Sequence, residues 1–384
     1  MDSLGVGFDS SSHLYDDEGA NTLLHIYQKN NGIDMPTLYS LGIGDFLKEV
    51  ETPKIHKNSY TMYLKEASNG KDTLTGHHEM MGIKTSHPFK TFTDTGFPKE
   101  LIDQLEKETG HKLIGNKAAS GTEIIKELGD EQRKTNSLII YTSSDSVLQL
   151  AAHEETTGLQ ELYRCCEIAR RICLKEEYKV GRIIARPFLG DKAENYYRTP
   201  NRHDYALKPE KETVMNVLKD KGFDVMCVGK ISDIFANEGV TESIKTVSNS
   251  DGMEKTINLV NKDDITGIVF VNLVEFDSSY GHRRDVIGYA KAIEQFDKEL
   301  KVLISNLKDE DLLMITADHG NDPTWHGTDH TREKVPLIIY NKNFNKGTQL
   351  NEKNTFADIG ASVLYNFNLD KPDGLIGEVI KEIY

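Results

Sequence analysis

The stretch from Ile315 to Arg332, ITADHGNDPTWHGTDHTR, gathers Asp318, His319 and His330 just beyond an apolar run, Leu312–Ile315, that reads as a buried strand. A second apolar run, Phe270–Leu273, leads into Glu275, Phe276 and Asp277, with Gly281 and His282 close behind. Open α/β sheets carry their chemistry at the carboxyl ends of their strands. Carboxylate plus imidazole is also the ligand mixture that Zn²⁺ or Mn²⁺ accepts. One Asp–His pair is more often a simple hydrogen-bonded pair, but two pairs and a further histidine supply enough ligands for two metal ions.

A third signal is GKDTLTGHHE, Gly70–Glu79, which is polar, glycine-flanked and rich in hydroxyls. A hydroxyl beside two divalent cations can lose its proton and attack phosphorus. Taken alone, the segment reads at least as well as a helix start capped by Asp72 or Thr73; the metal ligands elsewhere tip the reading toward a nucleophile. Basic residues accumulate at Arg182, Arg186, Arg198, Arg202, His203 and Lys208, with Lys230 later. Guanidinium binds phosphate bidentately, so the set suits a phosphate clamp, although surface ion pairs are the commoner fate of arginine. Ser143, Ser144 and Asp145 follow the strand Leu138–Tyr141 and fit either sugar-hydroxyl contacts or a turn. Trp325 and His326 read as loop. His13, His25, His56, His87 and His111 have no ligand-like neighbours in the sequence and read as ordinary surface or core histidines.

The elements that must position these groups alternate between strand and helix, the pattern of α/β layers with a largely parallel sheet. Helices are expected at Asn21–Lys29, Lys99–Thr109, Leu159–Leu174, Thr213–Lys221 and Val286–Leu307. In the last, Ile287, Ala290, Ile293, Phe296, Leu300 and Ile304 recur at helical spacing and Asp285 is placed to cap the start. Strands are expected at Leu138–Tyr141, Arg182–Ala185, Asp224–Val228, Ile268–Leu273, Leu312–Ile315 and Pro336–Tyr340. Turns near Pro88 and Pro209 are candidate borders of an inserted domain. Asp2 stands apart, because an aspartate of this kind ordinarily ends a central strand and here it follows directly on Met1.

A chain of 384 residues has room for two domains. Its net charge of −15 argues against nucleic-acid and anionic-membrane partners while leaving small anionic substrates open. No apolar run approaches the roughly 18–20 residues that span a bilayer, and MDSLGVGFDSSS lacks the features of a secretory leader. Cys165, Cys166, Cys173 and Cys227 form no C-x-x-C pair and read as reduced thiols, so the expected location is cytoplasmic. Composition leaves the oligomeric state open.

Assembled in order, MDSLGVG, GKDTLTGHHEMMG, GNKAASGTEII, YTSSDSVLQ, GRIIARPF, RTPNRHDYALKP, GKISDIF, EFDSSYGHRRD, TADHGNDP and GTDHTREKVP resemble the bacterial phosphopentomutases of the alkaline phosphatase superfamily over essentially the whole length. The resemblance implies an α/β metal-binding catalytic core, residues 1–88 and 210–384, with an inserted α+β cap, residues 89–209. It implies that Asp2, Asp318 and His319 hold one Mn²⁺ and that Asp277, His282 and His330 hold the other. Thr73 matches the threonine that carries the transferable phosphate, primed by a sugar bisphosphate. Ser143, Asp145, Arg182, Arg198 and Lys230 match positions that hold the pentose phosphate. The implied reaction interconverts ribose 1-phosphate and ribose 5-phosphate, and the 2-deoxyribose equivalents, with the cap keeping water from the phosphothreonine. A metal-dependent phosphatase using the same ligands is the alternative enzyme, and an inert N-terminally shortened fragment the alternative of another class. His78 stands where the family carries Trp and Ala118 where it carries Pro, changes expected to alter packing only. With no strand ahead of Asp2, the chain is expected to be a shortened form, less stable and weaker in its first metal site than one extended by roughly ten residues.

Overall fold

Caps and apolar spacing set the element boundaries. The structure, a computed structural model, describes residues 1–143 and 145–384; Ser144 lies outside the described residues. Asn21, accepting from the Leu24 amide, starts α1 (Thr22–Lys29), followed by α2 (Pro36–Ser40), β1 (Ser59–Leu64) and α3 (Thr73–Met80). Next come α4 (Lys99–Thr109), β2 (Leu113–Ala118), α5 (Gly121–Thr135), β3 (Leu138–Thr142), β4 (Val147–His153), α6 (Leu159–Ile172), β5 (Arg182–Leu189), β6 (Tyr197–Arg198) and β7 (His203–Ala206). The chain then forms α7 (Val214–Asp220), β8 (Asp224–Val228), α8 (Ile231–Ile234), β9 (Glu242–Ile244), α9 (Asn249–Val260) and β10 (Gly267–Val271). A π-helical turn, Phe276–Gly281, precedes α10 (Val286–Asn306), whose first turn is capped by Asp285 through the Gly288 amide as its sequence predicts. The remaining elements are β11 (Leu313–Thr316), β12 (Val335–Tyr340), β13 (Thr348–Gln349) and α11 (Ala357–Asn366).

The chain divides into two compact units, Met1–His87 with Pro209–Tyr384, and Pro88–Lys208. In the larger unit β12, VPLIIY, is buried along its whole length between antiparallel neighbours β1 and β11, with β13 parallel on the far side of β1. A separate three-stranded sheet, β10-β8-β9, is all parallel. Parallel pairing in this unit is thus concentrated in the sheet that leads to Asp277, while the strand leading to Asp318 pairs antiparallel. The apolar face of α10 (Ala290, Ile293, Phe296, Leu300) packs in one core with Leu4, Leu23, Met35, Leu38, Phe276 and Ile338, which ties the first residues of the chain to the last third.

The smaller unit is built on a mixed sheet, β2-β3-β4-β5-β6, with β7 also paired to β5. Leu101 and Leu105 of α4 and Leu162, Cys166 and Ala169 of α6 cover one face. Ile124 and Ile125 of α5 pack on the other with Ile139, Tyr141, Ala151 and Phe188. All four cysteines are free and buried. Among the described residues no helix is long and apolar enough to cross a membrane.

Candidate metal centre

Two turns deliver the acidic groups. Thr316 ends β11, and Ala317 leads into Asp318 and His319, which are 1% and 2% exposed. Asp2 reaches the same place from the other end of the chain. The Met1 ammonium donates to the Thr316 carbonyl (2.8 Å), and Asn272, just past β10, donates from Nδ2 to Asp2 Oδ2 (3.1 Å). Ser3 holds a left-handed backbone, φ 64°, unusual for a residue with a side chain. Its amide donates to Asp318 Oδ1 (3.1 Å), and its carbonyl accepts from the amides of Gly5 and Asn321 (3.0 and 3.1 Å). These bonds over-determine the conformation, as a strained position requires.

The π-helical turn after β10 supplies Asp277, whose Oδ1 accepts from Asn321 Nδ2 (2.8 Å). Asp277 Oδ2 lies 3.1 Å from His282 Nε2, and Asp277 Oδ1 lies 3.5 Å from His330 Nε2. The two histidine Nε2 atoms are 3.1 Å apart. Asp2, Asp318 and His319 each bring one ligand atom within 4.8 Å of the others, and so do Asp277, His319 and His330. His282 joins the second group through Asp277 and His330. All six residues proposed from the resemblance as metal ligands therefore fall in one cluster of the larger unit, buried except for the partly exposed His282.

The donor chemistry of this cluster fits divalent cations. Asp2 Oδ1 is buried with no hydrogen-bond partner among the described residues, a costly state for a carboxylate unless a cation completes it, while Asp318 Oδ2 is flanked by the imidazoles of His77 and His319, each 3.2 Å away. Burial, then the charges of Asp318 and Asp277, push the Asp2 carboxyl well above the usual range. Burial also works against ionising Asp318 and Asp277, but the imidazoles beside each outweigh it and hold both carboxyls well below that range. Three carboxylates so close cannot all ionise comfortably without added positive charge. His319 Nδ1 faces the Gly320 carbonyl (3.1 Å) and His282 Nδ1 the Thr328 carbonyl (2.7 Å). A carbonyl only accepts, so each Nδ1 carries a proton. Against its burial, the carboxylates round His319 hold its ring proton well above the usual imidazole range, and it is Nε2 that would give up its proton to serve as a ligand.

Thr73 is the first residue of α3, and Asp72 caps that helix by accepting from the Leu74 and Thr75 amides (both 3.1 Å). The capping reading of the sequence and the nucleophile reading are thus compatible, falling on adjacent residues. Thr73 Oγ1 lies 3.2 Å from His319 Nε2. Close approach is possible because residue 76 is glycine: a Cβ there would sit 2.0 Å from the Asp318 carbonyl oxygen. The loop leading to Thr73 is gripped from both sides. Arg332 donates to the carbonyls of Glu66, Ser68 and Gly70 (2.5, 2.9 and 2.5 Å), while Glu79 accepts from the amides of Ala67 and Ser68 (2.8 and 2.6 Å).

Of the sequence-derived substrate residues, Arg182 pairs with Asp145 (3.3 Å) in the smaller unit, and the Ser143 carbonyl accepts from Thr93 (2.8 Å). Arg198 is exposed on β6. Lys230 belongs to the larger unit, where its charge acts on Asp2. Sequence reasoning missed His77, Asn272 and Asn321. His77 Nδ1 lies 3.2 Å from Asp318 Oδ2, and its only sequence signal is the four-residue spacing from Thr73 on one helix face. Three histidines read as lacking ligand-like neighbours do have carboxylate partners: His25 with Asp322 (2.5 Å), His56 with Asp45 (3.1 Å) and His111 with Glu161 (2.8 Å). His78 is buried against Phe235, with Nε2 facing the Ile234 carbonyl, and burial pushes it down to about 4.

Residues 1–371 match the Metalloenzyme superfamily. The chain is 54% identical to a phosphopentomutase of Agathobacter rectalis, over all of this chain and 97% of that one. It is 53% identical to phosphopentomutases of Clostridium botulinum and Clostridium tetani, each covering 100% of this chain and 96% of theirs. The chain belongs to the phosphopentomutase family. It is an enzyme of the isomerase class that moves a phosphoryl group, and its superfamily makes it dependent on a divalent metal.

Proposed function

We propose that the protein interconverts ribose 1-phosphate and ribose 5-phosphate, and their 2-deoxy equivalents, through a phosphorylated Thr73 and a sugar bisphosphate. The observation that carries the reading is Thr73 Oγ1 at the head of α3, 3.2 Å from His319 in a cluster of six Asp and His side chains, five of them buried and His282 partly exposed. Asp2, Asp318 and His319 would hold one Mn²⁺ and Asp277, His282 and His330 the other. When bound, the two ions would neutralise phosphoryl oxygens and favour the ionised threonine hydroxyl. The free hydroxyl of the monophosphate attacks phosphorus on phospho-Thr73; the new P–O bond forms as the bond to Thr73 Oγ1 breaks. The bisphosphate reorients, and Thr73 Oγ1 attacks its other phosphorus and releases the isomeric monophosphate. Arg332 and Glu79 fix the loop ahead of Thr73, so the hydroxyl is positioned before substrate arrives. Ser143 and Asp145 are assigned to the sugar hydroxyls, and Arg182, Arg198 and Lys230 to the non-reacting phosphate. A sugar bisphosphate primes the threonine, and the reaction is placed in the cytoplasm.

The test is a coupled assay of ribose 1-phosphate conversion with added Mn²⁺, with inorganic phosphate measured in parallel. Isomerisation with little phosphate release is expected, and stoichiometric phosphate release would make the protein a phosphatase. Thr73→Ala should lose isomerisation and, in intact mass, the added phosphate that the parent acquires from a sugar bisphosphate.

A further inference from the structure

The smaller unit contains a convergence of anion-binding groups centred on the head of α5. That helix runs fifteen residues from Gly121 and has no side-chain cap; its N-cap hydroxyl, Ser120 Oγ, is instead 2.9 Å from Thr122 Oγ1. The Ser120 carbonyl takes the amides of Glu123 and Ile124, which leaves the N–H groups of Gly121 and Thr122 directed out of the helix end. A Cβ at Gly121 would lie 2.6 Å from Tyr141 Oη and 3.2 Å from Arg198 Nη1, so phenol and guanidinium meet at this end of the helix. Tyr141 is fully buried, and its hydroxyl makes no well-formed hydrogen bond among the described residues, although the Arg186 guanidinium lies beside it. Native proteins rarely leave such a group unmatched.

Arg186 lies on the same sheet face, since Tyr141 is opposite Gln149 and Arg186 opposite Ala151 in a register that alternates by two. Its Nε donates to Gln149 Oε1 (2.9 Å). Burial, then the neighbouring Arg202 and Arg198 charges, push Arg186 down to about 10, while Tyr141 and Asp204 act the other way. Asp204 is engaged by Arg202 through two bonds of 2.6 Å. Like charges gathered round a buried hydroxyl are what a bound anion would reconcile.

We propose that the amides of Gly121 and Thr122, the Tyr141 hydroxyl and the guanidiniums of Arg186 and Arg198 form a seat for a tetrahedral oxyanion, the phosphate of a sugar monophosphate or bisphosphate. This rests on the pentose-phosphate reading above and extends it by giving the non-reacting phosphate donors beyond Arg198. Helix amides supply directed hydrogen bonds without the freedom of a long side chain, and two guanidiniums supply charge. Glycine at 121 keeps the seat open.

Calorimetric titration of the Mn²⁺-loaded Thr73→Ala protein with ribose 5-phosphate, and separately with inorganic phosphate, reads the seat without turnover. Adding Tyr141→Phe should weaken ribose 5-phosphate binding about tenfold, the measure of one charge-assisted hydrogen bond, with an unchanged melting temperature. Gly121→Ala should weaken it further by filling the seat; if that variant fails to fold, Tyr141→Phe, which removes one oxygen, still decides. Equal affinities of the Tyr141→Phe protein and its parent for both ligands overturn the seat. A parent that binds phosphate in a Tyr141-dependent way but ignores ribose 5-phosphate keeps the seat and refutes the substrate reading, while a parent that binds neither refutes both.

Discussion

Asp2, Asp318 and His319 on one side, and Asp277, His282 and His330 on the other, are the same residue types in one cluster, yet they are held in opposite ways. The first set is almost wholly buried and uneven: Asp318 is flanked by His77 and His319 at 3.2 Å, whereas Asp2 Oδ1 has no hydrogen-bond partner among the described residues. The second set satisfies itself: Asp277 is matched by Asn321, His282 and His330, and the His282 side chain is 23% exposed. Geometry suited to metal thus arises by two routes. In one, Asp2 is held against burial and the charges of Asp318 and Asp277, a repulsion that a cation would relieve; the other is an ion-pair arrangement that a cation must displace.

The largest expected effect tests whether both sets work as one centre. Asp318→Asn and His330→Ala should each lower bound metal and reduce turnover by more than about 10³-fold, several kcal/mol of transition-state charge stabilisation. Full metal content and full activity in both variants would remove the assignment. Next in size is a buried carboxylate with no cation in prospect. Glu333 accepts from the Gly7 and Thr22 amides and from the hydroxyls of Thr22 and Thr331. Burial, then the Asp322 charge, raises it from 4.5 to about 7. The folded state therefore holds this proton more tightly, and the stability so gained is complete below about pH 4.5 and lost as pH rises through 7. The window corresponds to about 3 kcal/mol, and the pH dependence of urea midpoints should flatten by that order in Glu333→Gln. An unchanged slope would mean that the hydrogen bonds, not burial, govern Glu333.

Two smaller effects probe the contrast directly. Asn321→Ala removes the amide that orients Asp277 and should weaken Mn²⁺ binding about 10- to 100-fold, read by competition with a chelating dye. The last prediction concerns the metal-free protein. Asp2→Asn removes a repelled carboxylate and should raise the melting midpoint by the equivalent of about 1–2 kcal/mol, whereas Asp277→Asn breaks a satisfied arrangement and should lower it by a similar amount. Shifts of the same sign would erase the distinction between the two sets.

Much of the fold was legible because its signals are local. The α10 stripe with its Asp285 cap, and the apolar runs of β8, β10, β11 and β12, needed nothing from elsewhere in the chain. α11 was not legible, because its buried residues Ala357, Asp358, Ile359, Gly360, Ala361 and Ser362 lie all round the helix and leave no stripe. α5 was obscured by Gly121, Gly129 and a run of charges around a short apolar contact. In the site, paired Asp–His motifs announced themselves and Asp2 did not, since its role came only through resemblance. Asn272 and Asn321 carry no linear signature: an amide that steadies a carboxylate is defined by its partner, here 270 and 44 residues away. His25 misled for the same reason, its partner Asp322 lying 297 positions on.

The bond from the Ser3 amide to Asp318 spans 315 residues, and that span is also an interval of time. At roughly 5–20 residues per second of synthesis, Asp2 would wait on the order of 15–60 s for Asp318 to be made. During that wait the whole of Pro88–Lys208 is completed, with its own sheet and core. The nascent chain can therefore complete its smaller, arginine-rich unit while the metal-binding unit has only its first segment, Met1–His87. Capture of a divalent cation by the full cluster thus has to wait until Asp318, His319 and His330 have been made, long after Asp2.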